Sequence, residues 1–122
     1  MELQVDGKKV FAATGGKPFD PGQPVVIFVH GAGMDHTIWA LQTRWFAWHG
    51  RSVLAVDLPG HGKSDGPALE SIDEIGAWLV RLVEAIGAPS ASLVGHSMGS
   101  LASLSAGSTG GERIAALALL GV

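Results

Sequence analysis

The chain has 122 residues, 8 of them Lys or Arg and 11 Asp or Glu, giving a formal net charge of −3, with 47% apolar residues, 16% charged residues and no cysteine. That size holds one domain with a modest core, and the apolar fraction is too high for a disordered chain. The charge balance argues against a nucleic-acid or anionic-membrane partner, and the lack of cysteine excludes disulfides, thiol catalysis and cysteine-ligated metal.

Residues 2–13 predict a β-hairpin: Leu3 and Val5 alternate with polar neighbours, Asp6-Gly7 is a type I′ turn signal, and Val10 and Ala12 lead the return strand. Residues 14–24 hold Pro18, Pro21 and Pro24 and read as a connector. Val25 to Val29 is a continuous β-branched and aromatic run, as expected of a strand buried on both faces. The loop His30-Gly31-Ala32-Gly33-Met34-Asp35-His36 then falls at the strand's C-terminal end, the edge where open parallel sheets bind ligands.

From Thr37 to Trp48 the spacing predicts a helix with Ile38, Leu41, Trp45 and Trp48 facing inward, three tryptophans (Trp39, Trp45, Trp48) in the core, and Gly50 as its stop. Val53 to Asp57 predicts a second buried strand, followed by a loop to Pro67. Ser71-Ile72-Asp73-Glu74 is a capping box, and the helix behind it carries Ile72, Ile75, Leu79, Leu82, Val83 and Ile86 on its inner side until Gly87-Ala88-Pro89. A strand through Ala91, Leu93 and Val94, a helix through Leu101 to Ala106, a turn at 108–111 and a last strand from Ile114 to Leu120 complete the order.

The alternation predicts an α/β fold in a single domain over residues 1–122. Its mostly parallel sheet has about six strands with an antiparallel N-terminal hairpin, and three helices lie on both faces. The N-terminus has neither the basic nor the apolar region of a signal peptide, and no apolar run approaches the ~20 residues of a membrane span, so a cytoplasmic protein is expected.

The stretch Gly95-His96-Ser97-Met98-Gly99 hands a serine from a strand to the start of a helix. In a Gly-x-Ser-x-Gly turn so placed, side chains two residues before and after the serine would collide, hence Gly95 and Gly99. Ser97 then sits at a helix N-terminus, where free N–H groups favour a developing negative charge. A second match, Gly62-Lys63-Ser64-Asp65-Gly66, is an internal control: no strand runs into it and Pro67 follows where a helix would open, so Ser64 reads as loop. The small residues Gly31, Ala32 and Gly33 let backbone amides come close to a reacting group.

With these segments in order, the chain resembles the N-terminal half of an α/β-hydrolase. The resemblance rests on the buried strand with His30-Gly31-Ala32-Gly33, the Asp57-Leu58-Pro59-Gly60-His61-Gly62-Lys63-Ser64 loop, and the Gly95–Gly99 elbow. It implies Ser97 as nucleophile and an oxyanion hole formed by the backbone N–H groups of Met98 and Ala32. Branches of the family that open epoxides or cleave carbon–halogen bonds carry aspartate at the elbow, so Ser97 implies acyl transfer on a small ester or related acyl substrate. Carbon–carbon hydrolysis of activated diketones is the alternative chemistry. The resemblance implies no cofactor and no metal.

The family's triad runs serine, acid, histidine along the chain, whereas His30, His36, His49, His61 and His96 all precede Ser97. His30 and His61 occupy loop positions that brace by hydrogen bonds, His36 is a possible substrate contact near the site mouth, His49 is a helix cap, and the elbow turns His96 away from the serine. Asp57 orders its own loop, and Glu112 is a surface residue beside Arg113. The expectation is a fragment lacking the triad acid and base, inactive alone, whose uncovered sheet edge and face promote a homo-oligomer. A non-catalytic, self-associating half-domain is the competing class.

Overall fold

The computed structural model describes residues 1–122. Asp6 and Gly7 both take positive φ (55° and 75°), as a type I′ turn requires, and fold β1 (Glu2–Val5) back on β2 (Lys8–Ala13) in the expected hairpin. β2 pairs antiparallel with β4 (Ser52–Val56), and from there the sheet is parallel through β3 (Val25–Val29), β5 (Ala91–His96) and β6 (Ile114–Leu120). The spatial order is β1-β2-β4-β3-β5-β6.

Because successive strand residues point to opposite faces, β3 and β4 feed two cores. Val25, Ile27, Val29, Leu54 and Val56 pack beneath α2 (Ile72–Ala85) and α3 (Met98–Thr109), while Val26, Phe28, Val53 and Ala55 pack against Trp39 and Ala47 at α1 (Ala40–Ala47). Helices therefore cover both faces, as predicted. Ser71 caps α2, its hydroxyl accepting from the Glu74 N–H at 3.1 Å. The reciprocal half of the box differs by one residue, since the Glu74 carboxylate accepts from the Glu70 N–H instead.

The first helix corrects the sequence reading. Its opening turn, His36–Trp39, is a 3-10 turn capped by Asp35, and the buried residues are Trp39, Thr43 and Ala47. Ile38, Leu41, Trp45 and Trp48 all face solvent, so two of the three tryptophans lie outside the core. Both stripes have helical period, and the smaller one won because Thr43 and Ala47 allow the helix to sit close on the sheet. In α2, Trp78 joins the core although it lay outside the predicted stripe. At the far edge β6 is exposed along nearly its whole length, with Leu117, Leu119 and Leu120 open to solvent, as expected of an uncovered edge and face.

Candidate active site

β5 and α3 meet with no intervening loop, and Ser97 absorbs the whole change of direction at φ 57°, ψ −120°. A non-glycine residue holds that conformation only when its surroundings leave no other. Here they do. A methyl group at Gly95 would strike the Gly99 carbonyl, and one at Gly99 would strike the Val29 and His30 carbonyls at the end of β3. The Ser97 N–H donates to the Leu120 carbonyl (2.9 Å), and Ser100 Oγ donates to the same oxygen (2.7 Å), so the end of β6 pins the turn from the other side. Nothing in the sequence marks Ser100 beyond its place in the first turn after the elbow; its burial is seen only in the fold.

The Ser97 side chain is exposed at the C-terminal edge of the sheet, not packed in the core. The loop after β3 lies against it: a methyl group built on Gly31 would be 3.3 Å from Ser97 Cβ and 3.3 Å from the His96 carbonyl. In that loop the Ala32 N–H donates to no group of the chain, and Met98 opens α3, where the helix supplies its first N–H groups with no internal acceptor. Gly33 takes φ 72° and turns the chain away toward Met34, whose N–H returns to the Gly31 carbonyl.

His30 is fully buried and joins two loops. Its Nδ1–H donates to the Gly31 carbonyl (2.7 Å), and its Nε2 accepts from the Leu58 N–H (3.1 Å), a pair of bonds that only the neutral ring makes. Burial pushes its pKa below the ordinary 6.5, against the pull of the Gly31 carbonyl. His61 Nδ1 donates to the Pro59 carbonyl, its ring 4.9 Å from that of His30.

Asp57 is also fully buried. Its carboxylate accepts from the His36 N–H (2.7 Å), His36 Nδ1 (2.9 Å) and the Lys63 N–H (2.9 Å), tying the loops after β3 and β4 together. His36 thus has its Nδ1 bound to Asp57 and its ring on Phe11 of β2 (4.8 Å), on the hairpin side of the sheet. β3 stands between β4 and β5, the strand that leads into Ser97. This His–Asp link spans 21 residues, and nothing local in the sequence marks it. Asp35, His36 and Asp57 bring potential ligand atoms within 4.8 Å of one another. Hydrogen bonds within the chain account for that cluster, since Asp35 Oδ1 also accepts from the Thr37 N–H and hydroxyl, contacts that hold its pKa below the usual carboxylate value.

His96 makes no hydrogen bond to Ser97. Its ring stands edge-on to Trp39, centroids 6.5 Å apart at 82°. Ser64 Oγ donates to the Asp57 carbonyl and accepts from the Phe11 N–H, so the second Gly-x-Ser-x-Gly match is a loop brace. His49 Nδ1 donates to the Trp45 carbonyl in the cap role expected of it. Arg113 pairs with Glu84 (3.4 Å), not with Glu112.

Residues 24–122 match the family model of the alpha/beta hydrolase fold. The chain is 39% identical over 106 residues to epoxide hydrolase A of Mycobacterium tuberculosis, covering 84% of this chain and 33% of that protein. It is 35% identical over 81 residues to (E)-2-((N-methylformamido)methylene)succinate hydrolase of Acinetobacter baylyi, covering 66% of this chain and 30% of the relative. Among solved structures it superposes on Est816, an N-acyl homoserine lactone degrading enzyme, with TM-score 0.80 and 27% identity over 98% of this chain and 44% of that one. The chain thus spans about a third of the length of these curated relatives. A family model matched over four-fifths of the residues, on a sheet and elbow of this form, places the chain in the α/β-hydrolase fold family.

Proposed function

We propose that the protein to which this chain belongs is a serine-dependent hydrolase of carboxylic esters or related acyl compounds. Ser97 is the nucleophile, and the N–H groups of Ala32 and Met98 bind the oxyanion. The observation that carries the reading is the exposed Ser97 hydroxyl on a strained strand-to-helix turn, with the Gly31–Gly33 loop against its Cβ. Two amide donors converging beside a nucleophile stabilise the tetrahedral intermediate, and loss of one typically costs about 2.7 to 4 kcal/mol. Serine on the elbow, where the epoxide-opening branches carry aspartate, favours acyl chemistry; the lactone-degrading activity named for Est816 is of that kind.

Within the 122 residues no histidine is placed to take the serine proton. His30 is committed to Gly31 and Leu58, His36 to Asp57, His49 to Trp45 and His61 to Pro59, and His96 turns toward Trp39. We infer that the chain alone acylates slowly, because removal of the base from a serine triad lowers turnover by roughly 10⁶. Incubation with a fluorophosphonate and with p-nitrophenyl esters, read by intact mass and absorbance, tests both statements. The expected result is slow, single-site modification at Ser97, absent in Ser97→Ala, with negligible ester turnover. Modification unchanged in Ser97→Ala removes the nucleophile assignment, and rapid turnover lost in Ser97→Ala removes the missing-base assignment.

A second reading, self-association of the chain, is favoured by the open β6 edge and the uncovered residues Ala116, Ala118 and Leu120 beside it.

A further inference from the structure

α1 is built against the usual rule. A surface helix turns its more apolar side to the core, yet here Ile38, Leu41, Trp45 and Trp48, at steps of three, four and three, are 40, 81, 56 and 54% exposed. The opposite face, Trp39, Thr43 and Ala47, already supplies the contact with β3 and β4. The outer stripe is therefore not needed to seat the helix, and two large indoles grouped on one exposed face are not the scattered apolar residues of an ordinary surface.

Cationic and aromatic side chains flank the C-terminal half of the stripe, and Asp35 caps the turn at its N-terminal end. Lys17 Nζ lies 4.3 Å from the centre of the Trp48 ring, the Arg44 guanidinium lies 6.0 Å from it, and the His49 ring stacks on Trp45 at 4.0 Å and 10°. Neither Lys17 nor Arg44 is paired with a carboxylate; the chain's ion pairs are Arg81 with Asp6, Arg113 with Glu84, and His36 with Asp57. The net charge of −3 argued against an anionic surface. Charge beyond a Debye length of about 10 Å is screened, however, so the local excess of cations decides what this face attracts.

Shape and charge select the occupant. The stripe spans about 15 Å of helix and encloses only a shallow depression among Leu41, Arg44, Trp45, Trp48 and His49, with no groove for a peptide. A second copy across a two-fold axis through the stripe would bring the Lys17 and Arg44 of both protomers together, like charge on like. An anionic bilayer meets each feature. Indoles and leucine enter the headgroup boundary, where Trp is at home, and Lys and Arg reach the phosphates above it. No helix of the chain is long and apolar enough to cross a membrane, so the contact would lie in the plane of the surface.

We propose that the outer face of α1, with Lys17 beside it, docks the protein on an anionic phospholipid surface. The test is co-sedimentation of the 122-residue chain with vesicles of phosphatidylcholine alone or mixed with phosphatidylglycerol, together with tryptophan emission. Binding is expected only with phosphatidylglycerol present, with a blue-shifted emission and loss at high salt. It should weaken about fivefold for each of Lys17→Gln and Arg44→Gln and disappear in Trp45→Ala/Trp48→Ala, with the far-ultraviolet circular dichroism unchanged because these side chains lie outside the core. Absence of binding at low salt overturns the proposal, as does binding that the double variant leaves intact. Sedimentation velocity supplies a third arm: a wild-type dimer converted to monomer by the double variant assigns the face to a second copy instead.

Discussion

At Ser97 the turn holds a φ of 57° that any L side chain resists, and that strain, typically about 1 to 3 kcal/mol, is balanced by the contacts on either side. Ser97→Gly should therefore raise stability by about 1 kcal/mol in urea unfolding, after allowing for the extra freedom glycine gives the unfolded chain, while abolishing modification at the site. A loss of stability would mean the turn is relaxed. Gly95 and Gly99 act in the opposite sense. Their spacing about the serine is a steric requirement within five residues, which is why the elbow was legible in the sequence.

His30 extends the residue-scale account to pH. Its pKa is held below 6.5 by burial, so its contribution to stability is complete above pH 6.5 and is lost as pH falls from 6.5 toward the folded value. Protonation also removes the acceptor for the Leu58 N–H. His61, Asp57 and Asp35 all bear on the ring, the first lowering its pKa and the two carboxylates raising it. Urea midpoints measured from neutral pH down to pH about 5 should fall more steeply for the wild type than for His30→Gln, which cannot titrate. Parallel slopes would show that His30 takes up its proton as readily folded as unfolded.

Among the elements, α2 and α3 show how close packing positions the helix that follows Ser97. At Gly76 of α2 a methyl group would lie 2.6 Å from Ser105 Oγ and 3.0 Å from the Ala106 nitrogen of α3. Gly76→Ala gains about 1 kcal/mol of helix propensity, but overpacking typically costs about 1 to 3 kcal/mol. A net loss is expected in urea unfolding, and a gain would contradict the close approach. The succession of strands and helices and the mostly parallel sheet were legible because β3 and β4 are apolar runs between glycine and proline punctuation, whereas the spatial order of the strands was not. The orientation of α1 was not, since it carries two stripes of helical period and spacing alone does not say which one meets the sheet. The Asp57 to His36 link was likewise hidden, because it exists only once β3 and β4 lie side by side.

Taken whole, the chain presents a complete elbow on an incompletely covered sheet. Ala116 and Ala118 are exposed beside the open β6 edge, where lysines discourage edge pairing. Sedimentation velocity should show concentration-dependent association of the wild type that Ala116→Lys/Ala118→Lys suppresses; a monomer at every concentration would contradict the self-association reading. That prediction leaves the chemistry at Ser97 untouched. The most direct measurement of the chemistry is a crystal structure of the chain after prolonged reaction with a fluorophosphonate. Phosphorus is expected to be bonded to Ser97 Oγ, with the phosphoryl oxygen about 3 Å from the backbone nitrogens of both Ala32 and Met98. An adduct whose oxygen points to solvent, or one attached to another residue, would contradict it.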